Sequence, residues 1–160
     1  MESYAQPQTK PLFRVSRLAL PQIDVALELL AAQLKEHGIE VENRRIREVM
    51  EKVISDERRG FILAATDMNE KILGVAYCSS FLGLEHEGES GWLEELYVLP
   101  EWRQQGVGTG LVAEAIRIAK ARGWRALDLE VEADHQRVVS LYARHGFQPH
   151  TRSRFYLKLG

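Results

Sequence analysis

Glu94-Glu95-Leu96-Tyr97-Val98-Leu99-Pro100-Glu101-Trp102-Arg103-Gln104-Gln105-Gly106-Val107-Gly108-Thr109-Gly110 is the stretch on which the reading of the chain turns. A run of β-favouring residues is stopped by Pro100. A turn carrying Arg103, two glutamines and three glycines follows, and then a run of good helix formers, Leu111-Val112-Ala113-Glu114-Ala115-Ile116. Such a pattern predicts a strand, a ligand-binding turn and a helix. Glycines at 106, 108 and 110 remove Cβ atoms that would hold a ligand off the backbone, and they allow positive φ, so that successive amides can point into one concavity. The unsatisfied donors and positive dipole end at the start of the helix add to the attraction for an anion, which makes a phosphate or pyrophosphate the expected guest.

Spacing narrows the choice of phosphate ligand. A dinucleotide fingerprint has a further glycine three residues after Gly108, where Leu111 stands, and a P-loop ends in Gly-Lys-Ser/Thr, which is absent here. What the chain does carry, Arg103-x-x-Gly106-x-Gly108 after Val98-Leu99-Pro100, resembles the acyl-CoA loop of the GCN5-related N-acetyltransferases, the GNAT superfamily. A second signature supports the resemblance: Leu127-Asp128-Leu129-Glu130-Val131, followed by Leu141-Tyr142-Ala143-Arg144-His145-Gly146-Phe147. The resemblance is specific from about Trp92 to Phe147. It implies a single-domain α/β fold: a mixed sheet of about six to seven strands flanked by helices, its central parallel strands splayed to leave a free edge.

The composition agrees with one globular domain. Of 160 residues, 45% are hydrophobic and 28% charged, enough for an ordinary core. The expected division is a loose N-terminal tail over 1–10 and an N-acetyltransferase domain over 11–160. A net charge of −2 argues against a general nucleic-acid binder. The lone Cys78 cannot form an intramolecular disulfide and reads as a buried structural thiol. With no signal-peptide core and no apolar run of membrane length, the expected location is cytoplasmic and no membrane partner is expected.

In chain order, Phe13 to Ser16 predict a first strand, and Pro21 precedes a helix with Ile23, Leu27, Leu30, Ala31 and Leu34 on one face and Gly38 just past its end. A second helix over about 42–55 carries the stripe Ile46, Val49, Met50 and Val53 beneath a mixed charged face. Phe61 to Ala65 and Ile72 to Cys78 predict a hairpin, with the second strand able to reach Phe81-Leu82, and residues 83–91 a flexible acidic loop. After the glycine turn come a helix over about 108–122, a strand over 126–131, a helix capped by Asp134 and closed by Gly146, and a last strand Arg154 to Leu159. A strand, a helical crossover and a second strand imply a parallel pair.

Members of the resembled family transfer an acetyl group from acetyl-CoA to an amine without a covalent enzyme intermediate, so the resemblance implies acetyl-CoA as co-substrate and no metal. Leu96, Tyr97 and Val98 would pair main-chain groups with the pantetheine arm, as an added strand pairs with a sheet edge. Arg103, Gln104, Gln105, Gly106, Val107, Gly108 and Thr109 would hold the pyrophosphate. An alkylammonium has a pKa of about 10.4, so a base must take its proton near neutrality. Three carboxylates are candidates: Glu94, Glu95 and Glu130. Strand alternation puts Glu94 and Glu95 on opposite faces, so that only one sees a given cleft.

Leu93 to Val98 resembles the polyamine-acetylating branch, which favours Glu94, while Leu129-Glu130-Val131 resembles the protein N-terminal-acetylating branch, which favours Glu130. Tyr142, five residues before Phe147, stands where the family has its general acid for the departing thiolate. A backbone N–H of Leu96 or Val98 would steady the charge developing on the thioester oxygen. His135 and Val138 depart from the asparagine and alanine usual at those positions. His135 keeps a donor for pantetheine or phosphate, and Arg137 and Arg144 can reach the adenosine phosphates. Glu85, Glu87 and Glu89 point to a negative entrance for a polycationic acceptor such as a polyamine or amino sugar. Two alternatives stay open: acetylation of a protein α-amine or lysine, and a non-catalytic acyl-CoA-binding sensor. Dimerisation is common in the family, which makes a homodimer the assembly to test.

Overall fold

The computed structural model describes residues 12–132 and 136–159. The tail expected over 1–10, the capping role of Asp134 and the ligand role of His135 therefore lie outside the described residues. The chain divides into two compact units, one up to Glu130 and one from Val131 onward.

The first unit holds one five-stranded sheet among the described residues, ordered β1 (Arg14–Arg17), β2 (Gly60–Thr66), β3 (Ile72–Gly83), β4 (Gly88–Val98) and β5 (Leu127–Leu129). The first three pairings are antiparallel and β4 to β5 is parallel, as the helical crossover requires. α1 (Ile23–Glu36) and α2 (Asn43–Ser55) supply one layer. α1 buries Ile23, Ala26, Leu27 and Leu30 at helical spacing. It ends where Gly38 turns to φ +69°, with Ile39 N–H donating to Leu34 and Gly38 N–H to Lys35, so that its last carbonyls are satisfied. α3 (Val107–Ala121) buries Val107, Leu111, Val112, Ala115, Ile118 and Ala119 and stops before Gly123 at φ +74°.

Residues 83–91 do not form the expected flexible loop. The β3–β4 ladder runs out to Gly83 opposite Gly88, so only Leu84 to Glu87 make the turn. Glycines hide this strand in the sequence. Gly91 lacks the side chain that an alternating pattern would show because Trp124 lies on it: a Cβ there would come within 2.0 Å of the indole. Glu89 in turn accepts a 2.7 Å bond from the Ser80 hydroxyl, pinning an acidic side chain to the ladder.

α2 buries only Met50 and Val53 of its apolar stripe, and Val49 is 48% exposed. Its charged face does more than meet solvent, because Arg47 pairs with Asp24 of α1 as well as with Glu51.

The second unit contains α4 (Gln136–Arg144), closed at Gly146 (φ +90°), where Phe147 N–H returns to the Tyr142 carbonyl at 3.1 Å. The expected last strand, Arg154 to Leu159, is not one: these residues are exposed and carry no strand assignment, so among the described residues the sheet has five strands rather than six to seven. Apolar and aromatic residues favour a strand where their side chains pack on a half-buried pleated surface, and these side chains are exposed.

Candidate active site

β4 changes phase once along its length. Near its start Gly91 N–H donates to Ala126, toward β5, whereas just past its end Leu99 N–H donates to Leu73, toward β3. Both positions are odd-numbered, so in an unbroken strand their amides would point the same way. The switch is made at Glu94. Tyr77 stands opposite Glu95 and Cys78 opposite Leu93, leaving Glu94 as the extra residue of a β-bulge.

Three consequences follow for the site residues. First, Tyr97, opposite Val75, turns its main chain toward β3, while Leu96 and Val98 turn theirs toward the other edge. Tyr97 therefore offers the other edge no main-chain groups, and of the three residues expected to pair with a pantetheine arm only Leu96 and Val98 turn theirs that way. Second, β5 pairs only with Gly91, Trp92 and Leu93, so the two strands part immediately afterwards. Glu94 and Glu130 each follow the last pair, Leu93 and Leu129, so two of the three candidate bases mark the point of divergence. Third, the expected segregation of Glu94 and Glu95 to opposite faces does not hold. The bulge brings both to the same cavity, of ≈140 Å³, together with Tyr77 of β3 and apolar side chains of α1 and α2 such as Leu34, Val49 and Met50.

Electrostatics around the bulge follow from burial and from Glu94. The Tyr77 hydroxyl is pushed up to about 12, first by burial and then by the Glu94 charge. The Cys78 thiol, fully buried, is also pushed up to about 12 for the same two reasons and is inert near neutrality.

From Val98 the chain passes through a 3-10 turn, Pro100–Trp102, into the glycine turn. Gln104 takes φ +61° and Gly106 φ +86°, and Gly106 is the N-cap of α3 with no side chain bonded across it. A Cβ built on Gly106 meets nothing within 4 Å, so the N-cap position that precedes the first amides of α3, those of Val107, Gly108 and Thr109, is uncrowded. Two of the three glycines have separate tasks. Gly110, expected to face a ligand, makes room for Phe13 instead: a Cβ there would lie 2.8 Å from its ring. Val107 likewise places its side chain in the core, leaving only its amide for a ligand. Gln105 is held by a 2.8 Å bond from its amide to the Glu101 carbonyl.

Arg103 is engaged on the protein itself. Its Nε donates to the Val98 carbonyl at 2.9 Å, its guanidinium lies 5.4 Å over the Tyr97 ring, and it faces the Glu36 carboxylate. The Tyr97 hydroxyl donates to Glu36 at 3.2 Å. Glu36, at the end of α1, carried no sequence signal, because a carboxylate near a helix terminus is ordinarily solvated. The cavity wall had one: Val49 extends the α2 stripe beyond the width that packing requires.

In the second unit Tyr142 is buried and meets Phe147 edge-on at 5.8 Å. Burial pushes its hydroxyl up to about 12, so it stays protonated across the neutral range. Among the described residues no group of His, Cys, Asp and Glu side chains is arranged to hold a metal ion, and no helix is long and apolar enough to cross a membrane.

The sequence model of the acetyltransferase (GNAT) family matches residues 26–147. N-alpha-acetyltransferase 30 of Schizosaccharomyces pombe is 32% identical over 100 residues, 61% of this chain and 64% of that protein. Thialysine N-epsilon-acetyltransferase of Mus musculus is 33% identical over 70 residues, 44% of this chain and 41% of that protein. The chain spans between 36% and 67% of the length of the curated relatives it matches. A predicted acetyltransferase from Clostridium acetobutylicum, solved with acetyl-CoA, superimposes with a TM-score of 0.74 over 92% of this chain and 96% of that one at 18% identity, a likeness of fold.

Proposed function

This chain belongs to the acetyltransferase (GNAT) family, and we propose on that footing that it is an acetyl-CoA-dependent N-acetyltransferase acting on a primary amine by direct attack in a ternary complex. The single observation that best supports the reading is the phase change at Glu94. It turns the main chain of Leu96 and Val98 to an edge that β5 has left, and that edge leads to the glycine turn and the amides of α3. Such an edge suits an amide-bearing arm, and the helix terminus beyond it suits a diphosphate.

The chemistry asks for a proton acceptor, an oxyanion donor and help for the leaving sulfur. An ammonium acceptor must lose one proton before it attacks and a second as the N–C bond is completed. The C–S bond breaks, the thiolate takes up one proton, and one proton is released overall. Glu94, directly or through water, is proposed as the base, with Glu130 as its rival because it stands at the same divergence. The Leu96 or Val98 N–H is proposed to stabilise the developing oxyanion. Tyr142 is proposed to serve the sulfur. With its hydroxyl near 12 against about 8.5 for a free thiol, full proton transfer is uphill, so its part is a hydrogen bond to the charge forming on sulfur.

Calorimetry with acetyl-CoA and a thiol-release assay over a panel of amines and peptides test the proposal together. Binding heat with amine-dependent release is the expected result. The absence of heat overturns the reading. Heat without release from any acceptor leaves an acyl-CoA binder rather than an enzyme.

A further inference from the structure

The cavity beside the bulge differs from the polycation site expected from the acidic sequence around it. Its walls come from α1, α2 and β2, where Leu34, Val49, Met50 and Ile62 face it, and its polar groups are gathered on the neighbouring strands as Tyr77, Glu94 and Glu95. Glu89 of the supposed acidic entrance is bonded to Ser80 on the β3–β4 ladder. We infer that the acceptor is a primary amine carried on an aliphatic or aryl body, the amine at Glu94 and Glu95 and the apolar body against α1 and α2. This specificity rests on the transferase reading for its chemistry.

Size and polarity both decide for an apolar body. A cavity of ≈140 Å³ is close to the roughly 150 Å³ of an apolar-walled cavity that accepts a benzene-sized guest. One reacting ammonium meets the carboxylates of β4. A second ammonium a few bonds away would lie against Leu34, Val49 and Met50, whose side chains offer it no hydrogen-bond acceptor. The reaction keeps its balance: the N–C bond forms, the C–S bond breaks, one proton ends on the thiol and one is released. The same chemistry can be presented by a free amine or by the α-amine of a peptide with an apolar first residue.

The test compares propylamine, pentylamine, phenethylamine, spermidine and glucosamine as acceptors for the full chain with acetyl-CoA, beside tripeptides beginning with Leu or Asp. Expected is a kcat/KM that rises roughly fourfold per methylene from propylamine to pentylamine, with spermidine and glucosamine at least tenfold below pentylamine. A Leu-first peptide outrunning pentylamine identifies a peptide α-amine as the source, and the reverse a free amine. A flat series, or spermidine in the lead, overturns the inference.

A second readout does not depend on turnover. The methyl carbon resonance of Met50, which is buried on the cavity wall, is expected to shift with pentylamine and not with spermidine. Val49→Trp, at a half-exposed position that tolerates bulk, is expected to abolish that shift while leaving the heat of acetyl-CoA binding unchanged. A Met50 shift with no thiol release from any acceptor keeps the apolar-amine site and removes the transferase reading. Thiol release with a silent Met50 methyl does the opposite.

Discussion

Arg103 Nη2 stands 3.6 Å from Glu36 Oε2, so the turn proposed to receive a diphosphate is held to the C-terminal end of α1. Both side chains are about half exposed, which limits the pair to at most about 1 kcal/mol. Glu36→Gln is therefore expected to free Arg103 and tighten acetyl-CoA by no more than about fivefold, measured by titration calorimetry. Arg103→Ala should weaken it by about tenfold or more, the scale of a charged hydrogen bond. Weaker binding in Glu36→Gln would instead make Glu36 a positioning residue for Arg103.

Glu94→Gln is expected to lower kcat by about a hundredfold, the lower range for a lost general base, with acetyl-CoA affinity unchanged. Glu130→Gln is the control, since both residues follow the last β4–β5 pair. Retention of full rate in Glu94→Gln with loss in Glu130→Gln assigns the base to Glu130. Tyr142→Phe should slow single-turnover acetyl transfer, and an unaltered rate would make Tyr142 a packing residue against Phe147.

Two glycines of the same turn are expected to fail in different ways. Gly110→Ala drives a methyl into Phe13, which should cost about 1–3 kcal/mol of stability and leave acetyl-CoA affinity nearly intact. Gly106→Ala meets open space but must hold φ +86°, a strain of about 1–2 kcal/mol placed at the N-cap from which the α3 amides start. Affinity should fall there. Thermal melts paired with calorimetry separate the two effects, and equal affinity losses would refute the division.

Alkaline stability carries a signature of the buried acids. Cys78 rises from an ordinary 9.0, and Tyr77 and Tyr142 from 10.0, each to about 12, all through burial. Above the unfolded values the unfolded chain sheds protons that the folded chain keeps, so unfolding becomes easier as pH rises. Stability is expected to be insensitive to these groups below about pH 9 and to fall between about 9 and 12. Cys78→Ala should remove the earliest part of that fall. Denaturant midpoints across pH 8 to 11 check both statements.

Much of the fold was legible because helices announce themselves over many residues. Ile23 to Leu30, Leu111 to Ala119, and the glycines at 38, 123 and 146 gave type and end points from periodicity and backbone freedom alone. The start of β4 was not legible, since Gly88 and Gly91 are glycine for the sake of neighbours, Arg125 and Trp124, that arrive much later in the chain. In the site, the turn from Arg103 to Thr109 could be read from composition. The bulge could not, because Glu94-Glu95 looks the same whether or not an extra residue is present, and only the partner strand counts it. Glu36 was invisible for a similar reason, its meaning lying in contacts with Tyr97 and Arg103.

A strand with one inserted residue works like a gear with a tooth added. It can mesh with β5 at one end and hold Tyr97 in its slot at the other, which an uninterrupted alternation could not do. Excising Glu94 would thus remove more than an acidic group: the strand would have to choose which of its two engagements to keep.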